Sequence, residues 1–344
     1  MIKVTMKRVT MKKVIMALII PVLFAAVLFQ GSDAFAQGQA AEDYKKGREA
    51  FLSFTPDGFN NAIQYYNKAI QADPNYAPAY AGLGELYSFQ GFYRYEVKED
   101  YEKYYVDSYE NMKKALQINP NLEPVQLALA YTYLHLSNES LAKNAAQGIL
   151  SKNPNNAEAL YILWAATGRN PSSPEITKAL EINPKLVPAL IGLGTAYYEK
   201  RRSFSQAANY YRQAAEIAPS PEIHNYLGNA LIYQGYYPQA IKQFQNAIKL
   251  DPNYASAYQN MGIAYYYMNK PQDAITSGKK AISLNPNSPD AYFFIAQGYD
   301  KAKNTQQAIS YYNQFLQYSL GQDEYSIYVK TAEQRIASLG GRRQ

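Results

Sequence analysis

The 344-residue chain contains no cysteine. That excludes disulfides, thiolate nucleophiles, cysteine-built zinc or iron sites and a lipid anchor on cysteine. Histidine is nearly as scarce: His135 and His224 are the only two, 89 positions apart, with none of the paired spacing of a zinc-binding helix. His224 reads as a packing residue, and His135 as a residue facing a groove or water. A serine elbow, a Walker loop and a dinucleotide fingerprint are also missing, since "GLGELY" and "GLGTAY" lie in helix-like runs. Carboxylates are plentiful, but none stands in an apolar setting that would raise its pKa. No enzyme activity, cofactor or metal is therefore expected. Charged residues make up only 18%. Lys3, Lys7, Arg8, Lys12 and Lys13 supply most of the net charge of +6, and beyond residue 36 the balance is 29 basic against 27 acidic residues. A body so close to neutral gives no reason to expect nucleic acid as a partner.

Long apolar runs are rare as well; the one present is "VIMALIIPVLFAAVLF", Val14 to Phe29. With a basic start before it and "AFA" after it, residues 1–36 read as a signal peptide cut after Ala36, followed by a short linker at 37–43. The expected location is periplasmic or secreted, in a bacterium. The alternative is an uncleaved inner-membrane anchor, although the run falls short of the ~20 residues that span a bilayer. Met6 and Met11 are further possible starts.

What the chain has in abundance is repetition. "DPNYAPAY" at 73–80 returns as "DPNYASAY" at 251–258. Pro74, Pro120, Pro154, Pro184, Pro219, Pro252 and Pro286 each close a helix-like run, with separations of 46, 34, 30, 35, 33 and 34. Five residues before each stands a small or apolar residue, from Ala69 to Ala281. After several comes a run with Leu or Met, Gly, and Tyr three later, as in Met261, Gly262 and Tyr265. A period near 34 signals an array in which one supersecondary unit is stacked many times. A mid-helix glycine costs ~1 kcal/mol relative to alanine, so its return at 84, 194, 228 and 262 predicts close helix approach there.

The pattern resembles the tetratricopeptide repeat family. Its best copy here is Tyr258, Met261, Gly262, Tyr265, Ala274, Gly278, Ala281 and Pro286, with Tyr in place of the usual Trp. The resemblance implies an all-α, right-handed superhelical solenoid: about eight helix hairpins over 44–320, then a capping helix and tail at 321–344. Two departures stand out. The interval from Pro74 to Pro120 holds twelve extra residues, expected as a loop and a lengthened second helix around 88–107, with Glu99 and Lys103 paired. Its Phe92, Tyr93, Tyr95, Tyr101, Tyr104 and Tyr105 form a secondary candidate surface. The fourth unit is four residues short at 168–176, which predicts a soft joint between two lobes.

By the same resemblance, the first helix of each hairpin lines a concave groove. Carried over, the candidate peptide-binding residues are Thr195 and Tyr198; then Asn225, Asn229 and Tyr233; then Gln259, Asn260, Ile263, Tyr266 and Tyr267; and finally Phe293 and Gln297. A carboxylate clamp is not expected, because Asn225, Asp290 and Phe294 stand where it needs cations. Eleven of the 35 tyrosines fill aromatic slots of the repeat; the rest offer flat, amphipathic area suited to binding. The expected function is an exported scaffold for protein or peptide partners, including itself, with the membrane involved only if the first segment stays uncut. The alternatives are an assembly factor for envelope polysaccharide or peptidoglycan, and an accessory subunit of an enzyme.

Overall fold

The computed structural model describes residues 33–53, 55–96 and 101–342, and every regular element among them is helical. The helices form eight hairpins: α1 (Asp33–Phe51) with α2 (Pro56–Ala72), α3 (Ala77–Glu96) with α4 (Glu102–Ile118), α5 (Glu123–His135) with α6 (Glu139–Lys152), and α7 (Ala157–Ala166) with α8 (Pro174–Ile182). Next come α9 (Val187–Glu199) with α10 (Phe204–Ile217), α11 (Pro221–Tyr233) with α12 (Tyr237–Leu250), α13 (Ala255–Tyr267) with α14 (Pro271–Leu284), and α15 (Pro289–Lys301) with α16 (Thr305–Tyr318). A 3-10 turn, Asp323–Tyr325, leads into the terminal α17 (Ser326–Ser338). The chain divides within α9 into two compact units, Met1–Ala196 and Tyr197–Gln344.

The recurring phrase is the joint between hairpins. At seven joints the residue before proline donates its N–H to the carbonyl of the small or apolar residue four positions back, Asp73 to Ala69 and Asp251 to Ala247 among them, at 2.8–3.0 Å. All seven acceptor residues are buried. Proline then prevents the helix from continuing. In "DPNY" the aspartate side chain accepts the N–H two residues on, from Asn75 at 2.8 Å and Asn253 at 2.9 Å, which is the turn that aspartate favours. Tyr80, Tyr258 and Tyr292 each donate a hydroxyl hydrogen bond to the carbonyl of the proline six positions earlier, at 3.0–3.3 Å. One short phrase thus ends one hairpin and pins the start of the next.

Inside the hairpins the glycines act as sockets. A Cβ on Gly228 would lie 2.4 Å from the ring of Phe244, which is fully buried on α12. At Gly84 the backbone of α4 comes close enough for Ser108 to donate to the Gly84 carbonyl at 2.7 Å. In the following repeat Gly278 stands where Phe244 stood, and Ile295 of α15 fills the space, 2.4 Å from where a Cβ would be.

Three expectations need correction. Residues 37–43 are not a linker but part of α1, and Ala40 is fully buried against α2 and α3. The extra residues after Pro74 mainly lengthen the first helix: α3 has 20 residues where α11 and α13 have 13, while α4 has 17. Residues 97–100, and with them Glu99, lie outside the described residues. Nor is 168–176 the division between lobes. Both helices of that hairpin are short, 10 and 9 residues, but Trp164 is buried and its indole N–H donates to the Asn170 carbonyl at 2.7 Å. The signal-peptide reading of residues 1–36 falls almost wholly outside the described residues. No helix among the described residues is long and apolar enough to cross a membrane.

Candidate peptide-binding face

In the amino-terminal unit the face built from first helices is occupied by its own side chains. Arg48 of α1 donates to Glu85 of α3 at 2.6 Å and to Glu158 of α7 at 2.8 Å, linking the first hairpin directly to the fourth. Burial pushes the Glu85 carboxyl up, and the Arg48 guanidinium beside it pulls it back. Tyr131 of α5 is buried beside this group, with its hydroxyl lacking a hydrogen-bond partner. His135 packs against Phe89, Phe92 and Tyr131 and shares a 2.8 Å hydrogen bond with Ser88. Desolvation lowers its pKa to about 4, so the imidazole is neutral. A partner segment has no room where these groups meet.

The carboxy-terminal unit is different. Its first helices touch through residues spaced 35 apart: Tyr198 with Tyr233, Asn225 with Asn260, Tyr266 with Lys301. The same interval recurs where the 3-10 turn and α17 meet α15, in Asp290 with Tyr325 and in the two-pronged Asp300–Arg335 pair. So α17 takes the place that another first helix would hold. Along this register run two tyrosine ledges. Tyr233 is 59% exposed, stacked on Phe204 at 4.7 Å with Tyr198 edge-on at 5.4 Å. Tyr267 is 52% exposed, stacked on Tyr237 at 5.5 Å with Tyr266 edge-on. Lys301 places its ammonium 4.5 Å from the Tyr266 ring centroid. Burial, then the neighbouring Tyr237, Tyr266 and Tyr233 phenols, push the Tyr267 phenol pKa up.

Amides lie further towards the start of α11 and α13. Asn260 donates to the buried Asn225 at 2.9 Å, and Gln259 accepts from Ser288 at 2.7 Å. Asn229, Ile263 and Gln297 are partly exposed, though the Gln297 side-chain oxygen is itself buried without a partner. Thr195 is partly exposed on α9, in the amino-terminal unit. Phe293 does not belong to the face: it is 3% exposed and packs on Tyr312, Phe315 and Tyr328, which makes it core between α15, α16 and α17. Asn225 is likewise a support rather than a contact residue.

The secondary surface is also turned inward where it can be followed. Phe92 stacks on His135, Tyr105 is buried against Gly91, and Tyr101 and Tyr104 lie on Tyr105 and Tyr87. The side chains of Tyr93 and Tyr95 are outside the described residues. His224 bridges the two helices of its hairpin through Gln243 at 2.9 Å, as a packing residue would. Sequence reasoning missed Glu222, whose pKa burial raises to about 7 and whose Oε2 is buried without a partner. Its setting is made by the turn around Ser220 and by Asp251 at the next joint, and no local pattern announces that. Among the described residues no group of three potential metal ligands occurs.

Family models for the tetratricopeptide repeat match residues 228–269 and 255–288, and another matches 59–76 and 289–320. Solved structures of the same architecture include a chain of the APC/C hetero-tetramer Cut9–Hcn1, 19% identical, covering 83% of this chain and 54% of that one with a TM-score of 0.63. This chain therefore spans about half the length of that relative. PilW, a type IV pilus biogenesis factor, is 18% identical over 60% of this chain and 96% of its own, with a TM-score of 0.51. The hairpins, joints and glycine sockets define an all-α array of helical repeats. The chain carries tetratricopeptide repeats at the matched residues.

Proposed function

We propose that the protein is a non-enzymatic scaffold that binds an extended peptide segment of a protein partner on the first-helix face of Tyr197–Gln344. The observation that carries this reading is the pair of exposed ledges at Tyr233 and Tyr267, in contrast to the same face of the other unit, which Arg48 closes. Tyrosine gives large contact area with few torsions to freeze, and the amides of Asn229 and Asn260 can pair with a peptide backbone as donor and acceptor. The reading includes export, with residues 1–36 as the signal; sequencing of the mature amino terminus should begin at Gln37.

Selection of linear peptides from a display library against the full chain tests the binding reading. Enriched peptides should bind a Tyr233→Ser, Tyr267→Ser variant at least tenfold more weakly, at unchanged helicity. Equal binding to both proteins would move the site off this face. Exposed tyrosines also stack on sugar rings, so soluble cell-wall fragments belong in the same assay; fragments that displace the enriched peptides would favour the polysaccharide alternative.

A further inference from the structure

The ledges sit at the ends of first helices; the turn after Tyr233, at 234–236, is uncharged, but the turns at 200–203, 268–270 and 302–304 carry cations. Arg201 and Arg202 stand three and two positions before Phe204, the ring that stacks on Tyr233. Lys270 follows Tyr267 by three positions, and Lys301 and Lys303 flank the next turn. All five side chains are exposed. The carboxylates nearby do not balance them: Asp300 is held by Arg335, which leaves Glu199 and Asp273. The near-neutral charge of the whole body hides this asymmetry, because between residues 37 and 196 there are 17 acidic residues against 14 basic ones.

We propose that the partner segment is an acidic peptide, which lays apolar side chains on the Tyr233 and Tyr267 ledges and points its carboxylates at the turn cations Arg201, Arg202, Lys270 and Lys303. This rests on the peptide-binding reading above and names its ligand class. Charge complementarity selects it. A basic rim attracts an anionic segment and speeds its encounter, whereas the apolar ledges give a purely anionic segment nothing to bury. The long, mobile cations are suited to side-chain carboxylates at several positions, so the segment is internal to its partner as readily as terminal.

The test uses three synthetic decamers with the same leucines, separated by Glu, Gln or Lys, with anisotropy read on the full chain. The Glu peptide should bind at least tenfold more tightly than the Gln peptide, the Lys peptide should not bind, and salt should weaken the Glu complex. Arg201→Glu with Arg202→Glu and Lys303→Glu should cost at least tenfold, and Tyr233→Ser with Tyr267→Ser should abolish binding, each at unchanged helicity. If Gln and Glu peptides bind equally and only the tyrosine variant fails, the face stands and the acidic class falls. If the Glu peptide binds the tyrosine variant undiminished, the ledges are not the site. No binding by any decamer overturns the proposal, as does displacement of the Glu peptide by polygalacturonate at equal charge concentration, which would make the ligand an acidic polysaccharide.

Discussion

Gly228 holds its place in α11 because the ring of Phe244 takes up the volume a side chain would need. Alanine is the better helix former by about 1 kcal/mol, so Gly228→Ala tests which effect wins. A contact of 2.4 Å to a buried ring that cannot swing away should outweigh propensity, and the variant should be less stable by about 1–2 kcal/mol in urea unfolding. Adding Phe244→Leu should recover part of the loss relative to Phe244→Leu alone. Backbone strain can be isolated at the turns, where nothing clashes. Gly235 has φ +80° and open space around its Cα, so Gly235→Ala should cost about 1 kcal/mol from conformation alone. Ser137 occupies the same kind of turn at φ 54°, and Ser137→Gly should gain about 0.5–1 kcal/mol by the same physics run backwards.

Two helices carry buried titratable groups whose effects on stability run in opposite directions with pH. His135 on α5 titrates near 4 when folded because burial disfavours its cation, against an ordinary value of 6.5. The unfolded chain therefore binds the proton first, and acidification from about 6.5 to 4 removes stability. Glu222 on α11 titrates near 7 when folded because burial disfavours its anion, against 4.5. Its contribution is full below 4.5 and is lost as pH rises towards 7. Each is worth at most about 3 kcal/mol at the rate of 1.36 kcal/mol per unit. Hydrogen exchange at pH 5 and 7 should show α11 and α12 better protected at pH 5, and α5 better protected at pH 7, after correction for intrinsic exchange. Glu222→Gln should flatten the first trend and leave the second. The hairpins themselves were legible in the sequence, because the small residue, the joint proline and the tyrosine after it are local and each makes a local bond. The lengthened α3 was misread as a loop, since the charge around its aromatic residues suggested exposure while Phe92 found a partner in His135 on another helix. The tyrosine positions at 198, 233, 266 and 267 were readable from the register of the repeat. The burial of Phe293 was not, because it depends on α17, which is outside the repeat.

A stack of hairpins is expected to be stabilised by neighbour contacts only, so that damage spreads by steps along the array. Arg48 breaks that rule within the amino-terminal unit: its bond to Glu158 spans 110 residues and skips two hairpins, and no periodicity in the sequence could have shown it. Removing the arginine does more than delete two ion pairs. It strands Glu85, 4% exposed, as a carboxylate in a desolvated site, and breaking a buried pair from one side costs about 3–5 kcal/mol. Arg48→Met should therefore lower hydrogen-exchange protection from α1 through α8 together, including α7 and α8, which Glu158 ties to the mutated helix. Arg48→Met with Glu85→Leu and Glu158→Gln should restore most of it, because no charge is then left buried without a partner. Loss of protection confined to α1 and α2 would mean that the link between first and fourth hairpins carries no stability and the unit is held by neighbour packing alone.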